Sequence, residues 1–184
     1  MATRALPAPL AQLPNALTIG RLVLLPVFAV LMIAAEGGHS WPAAIVFGVA
    51  GVTDQVDGWL ARRWHVESAF GKIADPLADR LMIDAAVVLL WLADRLPWPA
   101  LAIVLGRDVV LLAGYKVVVP RGYDFSVNLL GKAATWLLYA ALGFTIATHA
   151  GADWPLWIFW TGVAVAVVAA ALYVGKAWRE VSLR

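Results

Sequence analysis

Cysteine is missing altogether from the 184 residues, so the chain has neither a disulfide framework nor thiol chemistry, and its redox compartment stays open. Charge is scarce as well. Only 14% of residues are Asp, Glu, Lys or Arg and the formal net charge is +2; no nucleic-acid partner is expected of such a chain. Apolar residues fill the space instead. They make up 62% of the sequence and raise the mean hydropathy to +0.81, far above an ordinary soluble domain.

Basic residues are also absent from particular places. Six apolar runs, at about 15–35, 42–62, 70–93, 98–119, 127–148 and 154–176, each reach the ~20 residues needed to cross a bilayer. The loops 36–41 and 149–153 contain no Lys or Arg, and 94–97 contains Arg95 alone. Arg4, Arg62, Arg63, Lys72, Lys116, Arg121, Lys132, Lys176, Arg179 and Arg184 all fall on the other side. By the positive-inside rule both termini are cytoplasmic. The sequence therefore predicts an all-α integral membrane protein with six transmembrane helices, successive ones packed as antiparallel neighbours. Residues 1–14 form an interfacial arm, 15–176 the membrane domain and 177–184 a cytoplasmic tail. The arm is no cleavable signal peptide, because the apolar run after it is a full-length span. Trp41, Trp91, Trp98, Trp154 and Trp157 suit the outer interface, and Trp64 and Trp178 the inner one.

Against this background residues 54–79 read DQVDGWLARRWHVESAFGKIADPLAD. A carboxylate in a membrane helix costs roughly 2.5–3.5 kcal/mol, and here four occur together. Asp54 and Asp57 lie at i and i+3, and Asp75 and Asp79 at i and i+4, so each pair shares a helical face. The polar run 62–68 is the natural turn between them. If the chain reverses about Val66, Asp57 and Asp75 are each nine residues from it, and Asp54 and Asp79 twelve and thirteen. The pairs then meet at equal depth, near the cytoplasmic surface. Four converging carboxylates stay ionised only if cations join them. All-oxygen ligands favour Mg²⁺ or Mn²⁺, and two such ions balance four charges. A pair of ions suits phosphoryl chemistry. An EF-hand loop is excluded, because its third ligand position falls on Val56. A carboxylate-relay transporter is the alternative from another class.

The pattern Asp-x2-Asp-Gly-x2-Ala-Arg-x8-Gly-x3-Asp-x3-Asp resembles the signature of the CDP-alcohol phosphatidyltransferases. All eight specified positions match: Asp54, Asp57, Gly58, Ala61, Arg62, Gly71, Asp75 and Asp79. The resemblance implies a six-helix enzyme, usually a homodimer, that moves a phosphatidyl group from CDP-diacylglycerol to an alcohol and releases CMP. It implies metal ligation by Asp54, Asp57, Asp75 and Asp79, with Asp79 also the catalytic base. It places Gly58, Ala61, Arg62 and Gly71 at the cytidine diphosphate. Gly58 and Ala61 also remove bulk from the aspartate face, which would equally serve tight helix packing. Pro76 leaves the carbonyl of Lys72 without a helical partner and predicts a local kink.

Other residues flank this stretch. Pro14 and Asn15 read as a helix start, with Asn15 a possible N-cap. The run Pro14-Asn15-x-x-Thr18-x-x-Arg21 resembles the first-helix pattern of the family's glycerophospholipid branch. That resemblance puts Asn15 and Thr18 beside the CDP headgroup and Arg21 beside a phosphate, whereas a snorkelling arginine is the plain reading of Arg21. Folding the third and fourth spans about residue 96 brings Asp84 level with Arg107 and Asp108, predicting an Asp84–Arg107 ion pair with substrate contact at Arg107 as the alternative. Lys132 either anchors the cytoplasmic end or, with Arg21, Arg107 and Arg121, binds an acceptor phosphate. The runs from Gly106 to Leu112, Arg121 to Tyr123 and Gly131 to Thr135 look closer to cardiolipin synthases, whose acceptor is phosphatidylglycerol. Glycerol 3-phosphate, the acceptor of phosphatidylglycerophosphate synthases, is the alternative.

Overall fold

In the computed structural model, backbone is described for residues 8–64, 69–118 and 129–182, and side chains for 16–56, 63, 78, 80–110 and 130–172. Among the described residues the chain is all-helical. Six helices follow one another: α1 Ala8–Ile33, α2 Trp41–Trp64, α3 Ala69–Leu92, α4 Trp98–Val118, α5 Leu129–Ala147 and α6 Trp154–Ser182. Their bounds fall within a few residues of the six apolar runs, except at the start of α1 and at the end of α6, which runs six residues past 176 to Ser182 and takes in most of the expected tail. Helix α1 begins at Ala8, seven residues before Asn15, so Asn15 is no N-cap and Pro14 lies inside the helix. Pro9 suits the new start, because a first-turn N–H has no helical partner to lose.

The Trp-Pro dipeptide opens α2, α4 and α6, as Trp41-Pro42, Trp98-Pro99 and Trp154-Pro155. Proline pre-sets the first helical turn, while the exposed tryptophan beside it suits a membrane interface. Ser40 completes the start of α2, its Oγ accepting from the N–H of Ala43 at 3.2 Å.

Windows within α1, α5 and α6 are long and apolar enough to cross a membrane. The other helices interrupt their apolar runs with charge: Asp54 in α2, Arg80 and Asp84 in α3, Arg107 and Asp108 in α4. The side chains are sorted as in a protein dissolved in lipid. Along α1, Ile19, Val23, Val27, Val30 and Ile33 point outward, whereas Thr18, Arg21, Phe28 and Met32 are buried. Along α2 the outward residues are Ile45, Val49, Val52 and Val56, and the buried ones Ala43, Phe47 and Ala50. An outer face of large aliphatic side chains, with Thr18 and Arg21 turned inward among apolar residues, suits a bundle surrounded by lipid rather than by water.

Helices α1, α2, α3 and α5 make the centre, with α6 packed on α5 and α4 on α3. Phe28, Phe47 and Tyr139 form an aromatic ladder from α1 through α2 to α5, with centroids 5.5 and 5.0 Å apart. Gly51 allows that approach: a Cβ there would sit 2.9 Å from Cε1 of Tyr139. The buried Thr145 hydroxyl returns to its own helix, donating to the Ala141 carbonyl at 2.7 Å.

One end of the bundle gathers the connections 34–40, 93–97 and 148–153. Helix α3 ends there in a Schellman motif: Arg95 N–H bonds Leu90 O at 2.8 Å and Asp94 N–H bonds Trp91 O at 3.0 Å. Asp94 takes the left-handed position at φ 55°, one that Asp tolerates better than most residues. The motif aims Arg95 across the bundle end. Its Nη2 donates to Thr145 O at 3.0 Å and His149 O at 3.2 Å, and its Nη1 to Gly37 O at 3.3 Å. His39 and His149 stack beside it at 3.8 Å, and Ser40 N–H bonds Ile146 O at 3.0 Å.

Candidate active site

The spacing of the inward stripes decides what meets below this end. In α1, Thr18 and Arg21 continue the row of Phe28 and Met32; in α2, Asp54 continues the row of Ala43, Phe47 and Ala50. Two rows of small and aromatic residues bring these helices together, and Arg21 meets Asp54. Arg21 Nη1 donates to Asp54 Oδ1 at 2.7 Å, with the arginine side chain 0% exposed and the aspartate 23%. The second oxygen, Oδ2, accepts from Gln55 Nε2 at 3.3 Å. A guanidinium inside a bundle is expensive unless paired, and Asp54 supplies the pairing charge.

Asp57, Gly58, Ala61 and Arg62 follow along α2, and Gly71, Asp75 and Asp79 along α3. Their side chains lie outside the described residues, as does that of Asn15 in α1. Arg121 lies outside them altogether. Lys132 is exposed in the first turn of α5. Among the described residues no three metal-ligating side chains come together; of the four aspartates, only Asp54 has its side chain among them. The donor chemistry nonetheless fits a hard divalent cation, being all carboxylate, with Asp54 reaching a partly open face.

A second group of charges lies between α3 and α4, and it corrects one expectation. Arg107 bonds its own neighbour, Nε to Asp108 Oδ1 at 2.9 Å, and makes no ion pair with Asp84. Arg80 Nη1 donates to Asp108 O at 3.4 Å. Asp84 stays within electrostatic reach of Asp108, Arg107 and Arg80, but its Oδ1, like Oδ2 of the 4%-exposed Asp108, is buried without a hydrogen bond. The matched depth was right; the rotation of Arg107 about α4 was not. Arg107 also borders a cavity of about 20 Å³, shared with Val104, Leu138 and Val163. Arg80 was not singled out from sequence, although its i, i+4 spacing from Asp84 was a usable signal.

The helical bundle and its aspartate pattern find their counterpart in known proteins. A profile of the CDP-alcohol phosphatidyltransferase family matches residues 11–168, and the chain belongs to that family, as an enzyme of phospholipid synthesis. It is 33% identical to the CDP-diacylglycerol–glycerol-3-phosphate 3-phosphatidyltransferase of Bacillus subtilis (strain 168), over 91% of this chain and 95% of the relative. It is 30% identical to the enzyme of the same name from Escherichia coli (strain K12), over 88% of each. With the CMP-forming cardiolipin synthase of Streptomyces coelicolor it shares 40% identity, over 70% of this chain and 62% of the relative. The aspartates thus belong to a transferase rather than to a carboxylate relay.

Proposed function

We propose that the chain transfers a phosphatidyl group from CDP-diacylglycerol to phosphatidylglycerol, forming cardiolipin and CMP. The acceptor hydroxyl attacks the lipid-linked phosphorus, and the bond from that phosphorus to the CMP oxygen breaks. Asp79 takes the hydroxyl proton. Asp54, Asp57, Asp75 and Asp79 would hold two divalent ions, Mg²⁺ or Mn²⁺, which when bound stabilise charge on the phosphate and on departing CMP. Gly58, Ala61 and Gly71 leave room for the nucleotide, with Asn15 and Thr18 beside it, and Arg62 offers planar donors to its phosphates. All six helices cross the membrane as a homodimer's subunit, with both termini and the aspartates on the cytoplasmic side, in keeping with the distribution of Lys and Arg.

The state of the cations carries the choice of acceptor. Glycerol 3-phosphate is a small dianion that calls for several converging cations, whereas phosphatidylglycerol carries one phosphate charge. Of the four candidate cations, Arg21 and Arg107 are engaged by Asp54 and Asp108. Lys132 and Arg121 then serve the single phosphate. The alternative, glycerol 3-phosphate, is favoured by the two relatives of that name, which match nearly full length. Purified enzyme given CDP-diacylglycerol and each acceptor separately decides between them. CMP release with phosphatidylglycerol is the expected result; rapid release with glycerol 3-phosphate and none with phosphatidylglycerol would overturn it.

A further inference from the structure

We infer that Arg21 is a positioning residue for Asp54, fixing that carboxylate so that it presents one oxygen to a divalent cation. The inference rests on the reading of Asp54 as a metal ligand, and it gives Arg21 a role other than binding a substrate phosphate. Three observations carry it. The Arg21 side chain is 0% exposed while that of Asp54 is 23% exposed, so the arginine is sealed behind the carboxylate rather than presented to an incoming molecule. The 2.7 Å bond uses Oδ1, and Oδ2 meets the exposed Gln55 amide at a long 3.3 Å, a contact that a cation can displace. Finally, Arg21 comes from α1, the helix packed against both α2 and α3, which carry the four aspartates. A guanidinium held by that helix and bonded to one oxygen restricts the rotation of the carboxylate and leaves its other oxygen turned away from the arginine. Outer partners of this kind govern how well a ligand binds its metal, although they never touch the ion.

The test is Mn²⁺ binding to the purified, lipid-free enzyme, followed by electron paramagnetic resonance. Four proteins are compared: wild type, Arg21→Lys, Asp54→Asn and the double variant. Lysine keeps the charge but loses the fork, so any change reports orientation rather than net charge. Arg21→Lys should weaken Mn²⁺ binding about tenfold, and Asp54→Asn should weaken it too. The double variant should bind like Asp54→Asn alone, because Arg21 acts through Asp54. Wild-type affinity in Arg21→Lys would overturn the inference, and so would an equal further loss in the double variant. If Asp54→Asn itself binds Mn²⁺ as wild type does, the metal reading of Asp54 falls, and this inference with it. In isolated membranes, where a detergent-sensitive variant stays folded, Arg21→Lys should raise the Mn²⁺ concentration for half-maximal CMP release by the same factor. An unchanged Mn²⁺ requirement with a raised acceptor KM would assign Arg21 to substrate phosphate instead.

Discussion

Replacing Arg95 by Met should loosen one whole end of the bundle while leaving the aspartates in place. The side chain joins three connections through the carbonyls of Gly37, Thr145 and His149. Thr145 lies in the last turn of α5, where carbonyls lack helical partners and a cation is favourable. Only the bond to Thr145 is partly buried; a charge-assisted bond of that kind contributes ~1.5–3 kcal/mol. The other two are exposed and contribute about 0.5 kcal/mol each. Burial also draws the Arg95 pKa below its ordinary value, so desolvation offsets part of that gain. The expected loss is therefore ~2–3 kcal/mol, read as a lower unfolding midpoint in detergent. CMP release below the melting range should stay near wild type. A stability change under about 0.5 kcal/mol, the usual scatter of surface substitutions, would refute the reasoning.

The metals give a plainer expectation: a chelator should abolish CMP release and Mg²⁺ or Mn²⁺ restore it, while Asp57→Asn and Asp75→Asn should insert and purify yet fail to turn over. Gly38→Ala should destabilise by ~2–4 kcal/mol, because Gly38 has φ +67° and a Cβ there would lie 2.7 Å from Cβ of Ala93; thermal melting measures it. At Asp94, with φ 55°, Gly should be neutral or stabilising and Val should cost ~1–2 kcal/mol. Double-mutant cycles in detergent should give a larger coupling for Arg107 with Asp108 than for Arg107 with Asp84; equal couplings would restore the pair expected from depth alone.

What could be read from sequence followed from periodicity. Apolar runs gave helices 2 to 6 to within a few residues apart from the end of α6, which carries on through polar sequence to Ser182; the Trp-Pro starts and the Ser40 cap explain why α2, α4 and α6 begin sharply. The start of α1 was misplaced because Pro14 was taken as a beginning, although proline in a bundle helix can be carried by its neighbours. Depth placed Asp84 and Arg107 at one level, but residue counting carries no information on rotation, and Arg107 turned to Asp108. Arg95 was noticed only as an exception to the charge rule. Its partners are backbone carbonyls, which every residue has, so no motif could announce them. The Arg21–Asp54 bond was hidden for a related reason: both residues were assigned outward, toward ligands, before their attraction to each other was weighed.

The ties at the Arg95 end have a mechanical consequence. Three of the chain's connections are bound to one another there, and the Phe28–Phe47–Tyr139 ladder joins α1, α2 and α5 below them. The aspartates sit toward the opposite end of the same helices, beyond that ladder. Helices fastened at one end behave like the arms of tongs: a small tilt at the pivot becomes a wider separation at the tips. A small tilt of α2 against α3 about the Arg95 end would therefore change the spacing of the aspartates far more than it disturbs the fastening itself.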